Sequence, residues 1–72
     1  MRAQEYIQIF CQNISRRRQQ TGMSFTELSR CSGLPVEMLQ QLDQGIMPEE
    51  MMADDAIRLA KVFGCKIDEL CE

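Results

Sequence analysis

The chain has no histidine and no tryptophan, and only one tyrosine and two prolines among its 72 residues. Without histidine the commonest general base at neutral pH is missing, and no serine or cysteine has an activating neighbour in the sequence. These absences argue against an enzyme. The four cysteines, Cys11, Cys31, Cys65 and Cys71, include no pair at the short separation of a structural zinc knuckle. No metal site and no cofactor are expected, and the N-terminus shows no secretory signal that would favour a disulfide framework. The thiols therefore read as free, packed in the core or on the surface.

Long apolar runs are also lacking, since no stretch approaches the roughly 18 residues needed to span a membrane. The expectation is a soluble chain of the cytoplasm with no membrane partner. Positive charge is scarce: eight Lys and Arg stand against eleven Asp and Glu, for a net charge of −3. The isoelectric point lies near 4.8, whereas domains dominated by phosphate contacts usually lie above about 9. From Gly33 to Ile57 there is no Lys or Arg, while Glu37, Asp43, Glu49, Glu50, Asp54 and Asp55 are all acidic. With 44% hydrophobic and 6% aromatic residues, residues 1–72 have material for one small core and hence a single domain.

What is present is helical periodicity. Tyr6, Ile7, Phe10, Cys11 and Ile14 recur at spacings of three and four over a stretch free of Gly and Pro from 3 to 21, which marks one face of a helix. Gly22 supplies its stop. Arg16, Arg17 and Arg18 fall in its last turns, suited either to the negative end of the helix dipole or to a phosphate. Ser24-Phe25-Thr26-Glu27 is a capping box, in which the Ser24 hydroxyl accepts from the Glu27 amide and the Glu27 carboxylate from the Ser24 amide. It predicts a second helix from Phe25 to about Ser32, ended by Gly33 and Pro35.

Pro35 suits the first turn of a third helix running to Gln44, with Leu34, Met38, Leu39 and Leu42 inward. Two short helices joined by Gly33-Leu34-Pro35 form a helix-turn-helix candidate over about 24–45. Pro48, Glu49 and Glu50 look like the start of a fourth helix, with Met52, Ala56, Leu59, Ala60 and Phe63 on its inner stripe. Ile67 and Leu70 anchor a last short helix. Met38 and Met52 read as core, while Met47 and Met51 flank the loop. Nothing reads as strand, so the expected class is all-α.

The residues that carry a family likeness are Phe10, Ile14, Arg18, Gly22, Met23-Ser24, Glu27-Leu28, Gly33-Leu34, Leu39, Leu42-Asp43 and Gly45, followed by Leu59-Ala60-Lys61 and Phe63 to Leu70. In these positions the chain resembles the Cro/lambda-repressor-like helix-turn-helix family, also called the Xre family, over about residues 10–70. The closing Gly64 to Leu70 is similar to that family's Gly-x-x-x-Asp-Glu-Leu motif. The resemblance implies a compact five-helix lambda-repressor-like DNA-binding domain with an extended first helix. It also implies a transcriptional regulator that reads double-stranded DNA with the starts of the second and third helices. By register, the base-contact candidates are Phe25, Val36, Glu37, Gln40 and Gln41. Gln40 and Gln41 carry the amide that pairs with adenine through two hydrogen bonds. Arg16, Arg18 and Ser24 are the phosphate-contact candidates.

The chain departs from the family pattern at Phe25, where a polar residue is common, at Pro35, where Ser or Thr usually caps, and at Arg17, where an apolar residue is usual. A second reading on the same fold follows from Phe25 and Val36, an apolar spot rimmed by Glu37 and Asp43 that suits a protein partner. Tyr6, Ile7 and Ile9 lie in an N-terminal extension with surplus apolar surface. They are the candidates for a homodimer contact, which would let two copies read a palindromic operator. Packing of the extension onto the later helices is the alternative.

Overall fold

A computed structural model describes residues 2–72 as five helices without strands among the described residues. They are α1 (Ala3–Thr21), α2 (Phe25–Ser32), α3 (Val36–Asp43), α4 (Ala53–Val62) and α5 (Ile67–Leu70). The all-α expectation holds. α1 packs against α3 and α5, α2 against α3 and α4, and α4 against α5. The core is Phe10, Cys11 and Ile14 of α1 with Leu28, Leu34, Leu39, Leu42, Leu59, Ala60 and Leu70. These are the positions the helical periodicity selects, because one stripe per helix must leave water for the fold to be stable.

Helix ends follow the local chemistry in most places. Gly22 ends α1 at φ 71° and Gly33 ends α2 at φ 79°, left-handed conformations that residues with a Cβ adopt only with strain. The Ser24 hydroxyl accepts from the Glu27 amide at 3.1 Å. The expected reciprocal bond is different: the Glu27 carboxylate takes the Ser24 hydroxyl, at 3.2 Å, rather than its amide. Pro35 sits one place earlier than expected, in the extended N-cap position of α3 at φ −62° and ψ 145°, with no side-chain cap.

The largest departure lies before α4. Pro48 does not begin that helix; it is buried, and its carbonyl accepts from the Met51 amide at 3.2 Å to close a turn over 48–51. α4 begins at Ala53, where the Asp55 carboxylate accepts from the Met52 amide at 3.0 Å. That capping bond decides the start, since it satisfies an amide that the helix itself leaves free. Met52 is consequently 71% exposed, outside the inner stripe on which its spacing had placed it. Tyr6 is likewise exposed, at 49%, at the edge of the buried face of α1.

Buried polar groups tie α1 to the C-terminal part. The Asn13 amide donates to the backbone oxygens of Leu70 at 2.8 Å and Glu72 at 3.0 Å, while the Arg16 guanidinium donates to the Asn13 carbonyl oxygen. Arg17, at a position usually apolar in the resembling family, lies 3.6 Å from a carboxylate oxygen of Glu69. A long side chain can cover apolar surface with its stem and keep its charged head at the rim. That accounts for an arginine beside a core.

Candidate nucleic-acid interface

The α2–turn–α3 unit is held rigidly by short-range bonds. The Ser32 hydroxyl donates to the Leu28 carbonyl at 2.7 Å and accepts from the Leu34 amide at 3.2 Å. The Ser29 hydroxyl donates to the Leu34 carbonyl at 2.5 Å. Together they satisfy the backbone groups that the turn takes out of both helices. Leu34 is buried beneath the turn, so the angle between α2 and α3 is set by packing as well as by hydrogen bonds.

On α3, Glu37, Gln40 and Gln41 are all exposed and Val36 is half-buried. Their spacings of three and four place Glu37, Gln40 and Gln41 on one outward edge of the helix. Two primary amides and a carboxylate side by side offer donors and acceptors that complement base edges in a major groove. Gln44, exposed at the C-terminal end of α3, extends the same polar surface; the sequence reading did not single it out.

Arg18 organises the neighbouring corner. Its guanidinium stacks 4.3 Å from the centroid of the Phe25 ring, donates to the Met23 carbonyl at 3.0 Å and lies 3.5 Å from an oxygen of Asp43. The same Asp43 oxygen accepts from the Ser15 hydroxyl at 2.7 Å. One side chain of α1 thus joins the start of α2 to the end of α3, and only 18% of it is exposed. Phe25 is half-buried, with one face of its ring covered by the guanidinium. Ser15 and Asp43 are structural members of this corner that residue spacing alone did not reveal, because they are 28 positions apart.

The acidity of α3 is smaller in three dimensions than in one. Asp43 is balanced by Arg18, which leaves Glu37 as the acid of α3 without an ion pair among the described residues. Arg16 and Ser24 are exposed. Arg16 extends from the same end of α1 as Arg18, and Ser24 caps the first turn of α2, where free amides favour an anion.

Residues 13–72 match the Cro/C1-type HTH DNA-binding domain. The chain belongs to this family. No curated protein and no solved structure matches it significantly. A Cro/C1-type domain is a DNA-binding helix-turn-helix domain, and the matched segment contains both α2 and α3. Residues 2–12, the N-cap and first half of α1, lie before the matched segment. Tyr6, Ile7 and Ile9 all belong to them: Ile7 packs on the core, Ile9 is half-buried and Tyr6 is exposed. Among the described residues no group of His, Cys, Asp or Glu has a metal-binding arrangement, and no helix is long and apolar enough to cross a membrane.

Proposed function

We propose that this Cro/C1-type protein is a transcriptional regulator whose helix α3 enters the major groove of double-stranded DNA. The observation that carries the reading is the outward edge of α3, where Glu37, Gln40 and Gln41 are exposed on a locked helix-turn-helix. Gln40 and Gln41 pair with adenine edges, and Val36 and Phe25 make apolar contacts at the rim of the groove. Arg16 and the N-terminus of α2 at Ser24 contact phosphates, with Arg18 adding its remaining exposed edge.

Few cations per copy means weak non-specific attraction, so specificity comes from base contacts. Two copies on a palindromic operator double that contact, with half-sites one helical turn, about 34–36 Å, apart. The longest dimension of one copy is 32 Å, which lets two copies sit side by side at that spacing. Two phosphate-contacting arginines per copy predict a slope of log K against log salt near about −2 for one copy and about −4 for two.

The test is selection from a random-sequence duplex pool at low and physiological salt, with sequencing of the bound fraction. Enrichment of a sequence with inverted symmetry and a slope near about −4 supports the paired reader. Enrichment without symmetry supports a single copy. No binding at low salt removes the DNA reading and assigns Phe25 and Val36 to a protein contact.

A further inference from the structure

The end of the molecule away from Arg18 carries a different kind of surface. Tyr6 and Phe10 of α1, Met47, Met51 and Met52 of the loop and Ala56 of α4 line an open groove of about 280 Å³. Its lining is largely apolar, and its lips include two of the large apolar side chains the fold leaves exposed, Met52 at 71% and Tyr6 at 49%. A small domain does not gain stability by leaving such residues in water, and contiguous exposed apolar surface marks an interaction site. Three methionines in one wall make the surface adaptable, because the unbranched thioether repacks around different shapes.

The charges that flank the groove in sequence decide what fits it. Glu5 precedes Tyr6, Glu49 and Glu50 lie in the turn between Met47 and Met51, and Asp54 and Asp55 follow Met52; beside the lining residues Ile67 and Cys71 stand the cation Lys66 and the acids Asp68 and Glu72, so the flanking charge is predominantly negative. A second copy seated across a two-fold axis would bring like charges together, which disfavours it. Anionic lipid and nucleic acid are disfavoured for the same reason. No strand edge exists among the described residues, so strand addition has no template, and a groove between helices accepts a helix.

We infer that this groove docks a cationic amphipathic helix of a partner protein, its apolar stripe on Tyr6, Phe10 and the three methionines and its Lys or Arg residues toward the carboxylates of the segments that flank them. Tyr6 and Arg18 are separated by about 18 Å along α1, so the partner and DNA occupy different ends of the domain. The inference stands on the groove and its charges and does not rest on the DNA reading.

The experiment uses a fluorescein-labelled synthetic helix of about 18 residues, with Leu at the spacings of one helical face and Lys elsewhere. A scramble of the same composition is the control, and both are titrated by anisotropy. The expected result is binding of the patterned peptide at least about tenfold tighter than the scramble, weakened by about tenfold in Met52→Glu and in Tyr6→Glu. Both substitutions lie on exposed lips and add negative charge, so attraction by charge alone would strengthen binding instead. Binding that is equal for the scramble, or unchanged or tighter in the two variants, overturns the inference. So does sedimentation showing a dimer of the full chain in solution that Met52→Glu dissociates, because the groove would then belong to a second copy.

Discussion

The Arg18 guanidinium lies 4.3 Å from the centroid of the Phe25 ring, and that contact gives an aromatic residue a defined place at the start of α2. The same guanidinium holds Asp43 and the Met23 carbonyl, so the orientation of α2 and α3 toward each other depends on a residue of α1. An orientation error at this corner would shift the four candidates on α3 relative to Phe25 on α2.

Arg18→Ala is expected to lower stability by about 1–3 kcal/mol, since it removes a stacked cation and leaves the Asp43 carboxylate with only Ser15. A double-mutant cycle with Phe25→Ala, followed by urea denaturation, isolates the stacking itself. The expected coupling is about 0.5–1 kcal/mol. A coupling of zero would mean that the two side chains merely lie side by side.

Asn13→Ala removes both bonds to the C-terminal backbone and leaves the Leu70 carbonyl without its partner. The expected loss is about 1–3 kcal/mol, which lowers the melting temperature by about 4–8 °C per kcal/mol in a domain of this size. Amide exchange should rise first in α5. Unchanged melting would show that water replaces the asparagine without loss.

Gln41→Ala should leave the melting temperature alone, because the side chain is exposed, and lower affinity for the selected duplex by about 1–3 kcal/mol. Titration of selected and mismatched duplexes reads both numbers. A uniform loss across all sequences would reassign Gln41 from base reading to backbone contact.

Burial raises the Cys11 thiol above its ordinary value, whereas Cys31 and Cys71 are exposed. The thiolate is the reactive form, so alkylation followed by mass spectrometry should modify Cys31 and Cys71 first and Cys11 only through unfolding. The folded state prefers the protonated Cys11. Its contribution to stability is therefore full below the ordinary thiol range and is lost as pH climbs through the raised value. Modification of Cys11 in step with the exposed pair would contradict its burial.

Much of the fold is legible in the residues themselves. The spacing of Phe10, Cys11 and Ile14, the Ser24 cap, the stops at Gly22 and Gly33 and the Leu39–Leu42 stripe act within a few residues of one another, through backbone geometry and helical period. The polar edge of Glu37, Gln40 and Gln41 is local in the same sense. The start of α4 was less legible, because Pro48 with two acids is an equally good signal and only the Asp55 cap at Met52 decides between them.

Tertiary structure decided what depends on partners distant in sequence. It joined Arg18 to Phe25 and Asp43, set Ser15 against Asp43 across 28 positions, and tied Asn13 to the C-terminal backbone. It also left Tyr6 and Met52 at the lips of an apolar groove, though their helical spacing puts both on inner stripes. The sequence by itself determined five amphipathic helices and the edge that α3 presents, because short-range geometry and apolar period are written in adjacent residues. Ion pairing and groove formation arise only when helices from opposite ends of the chain meet, and their energies depend on distances that no spacing along one helix contains.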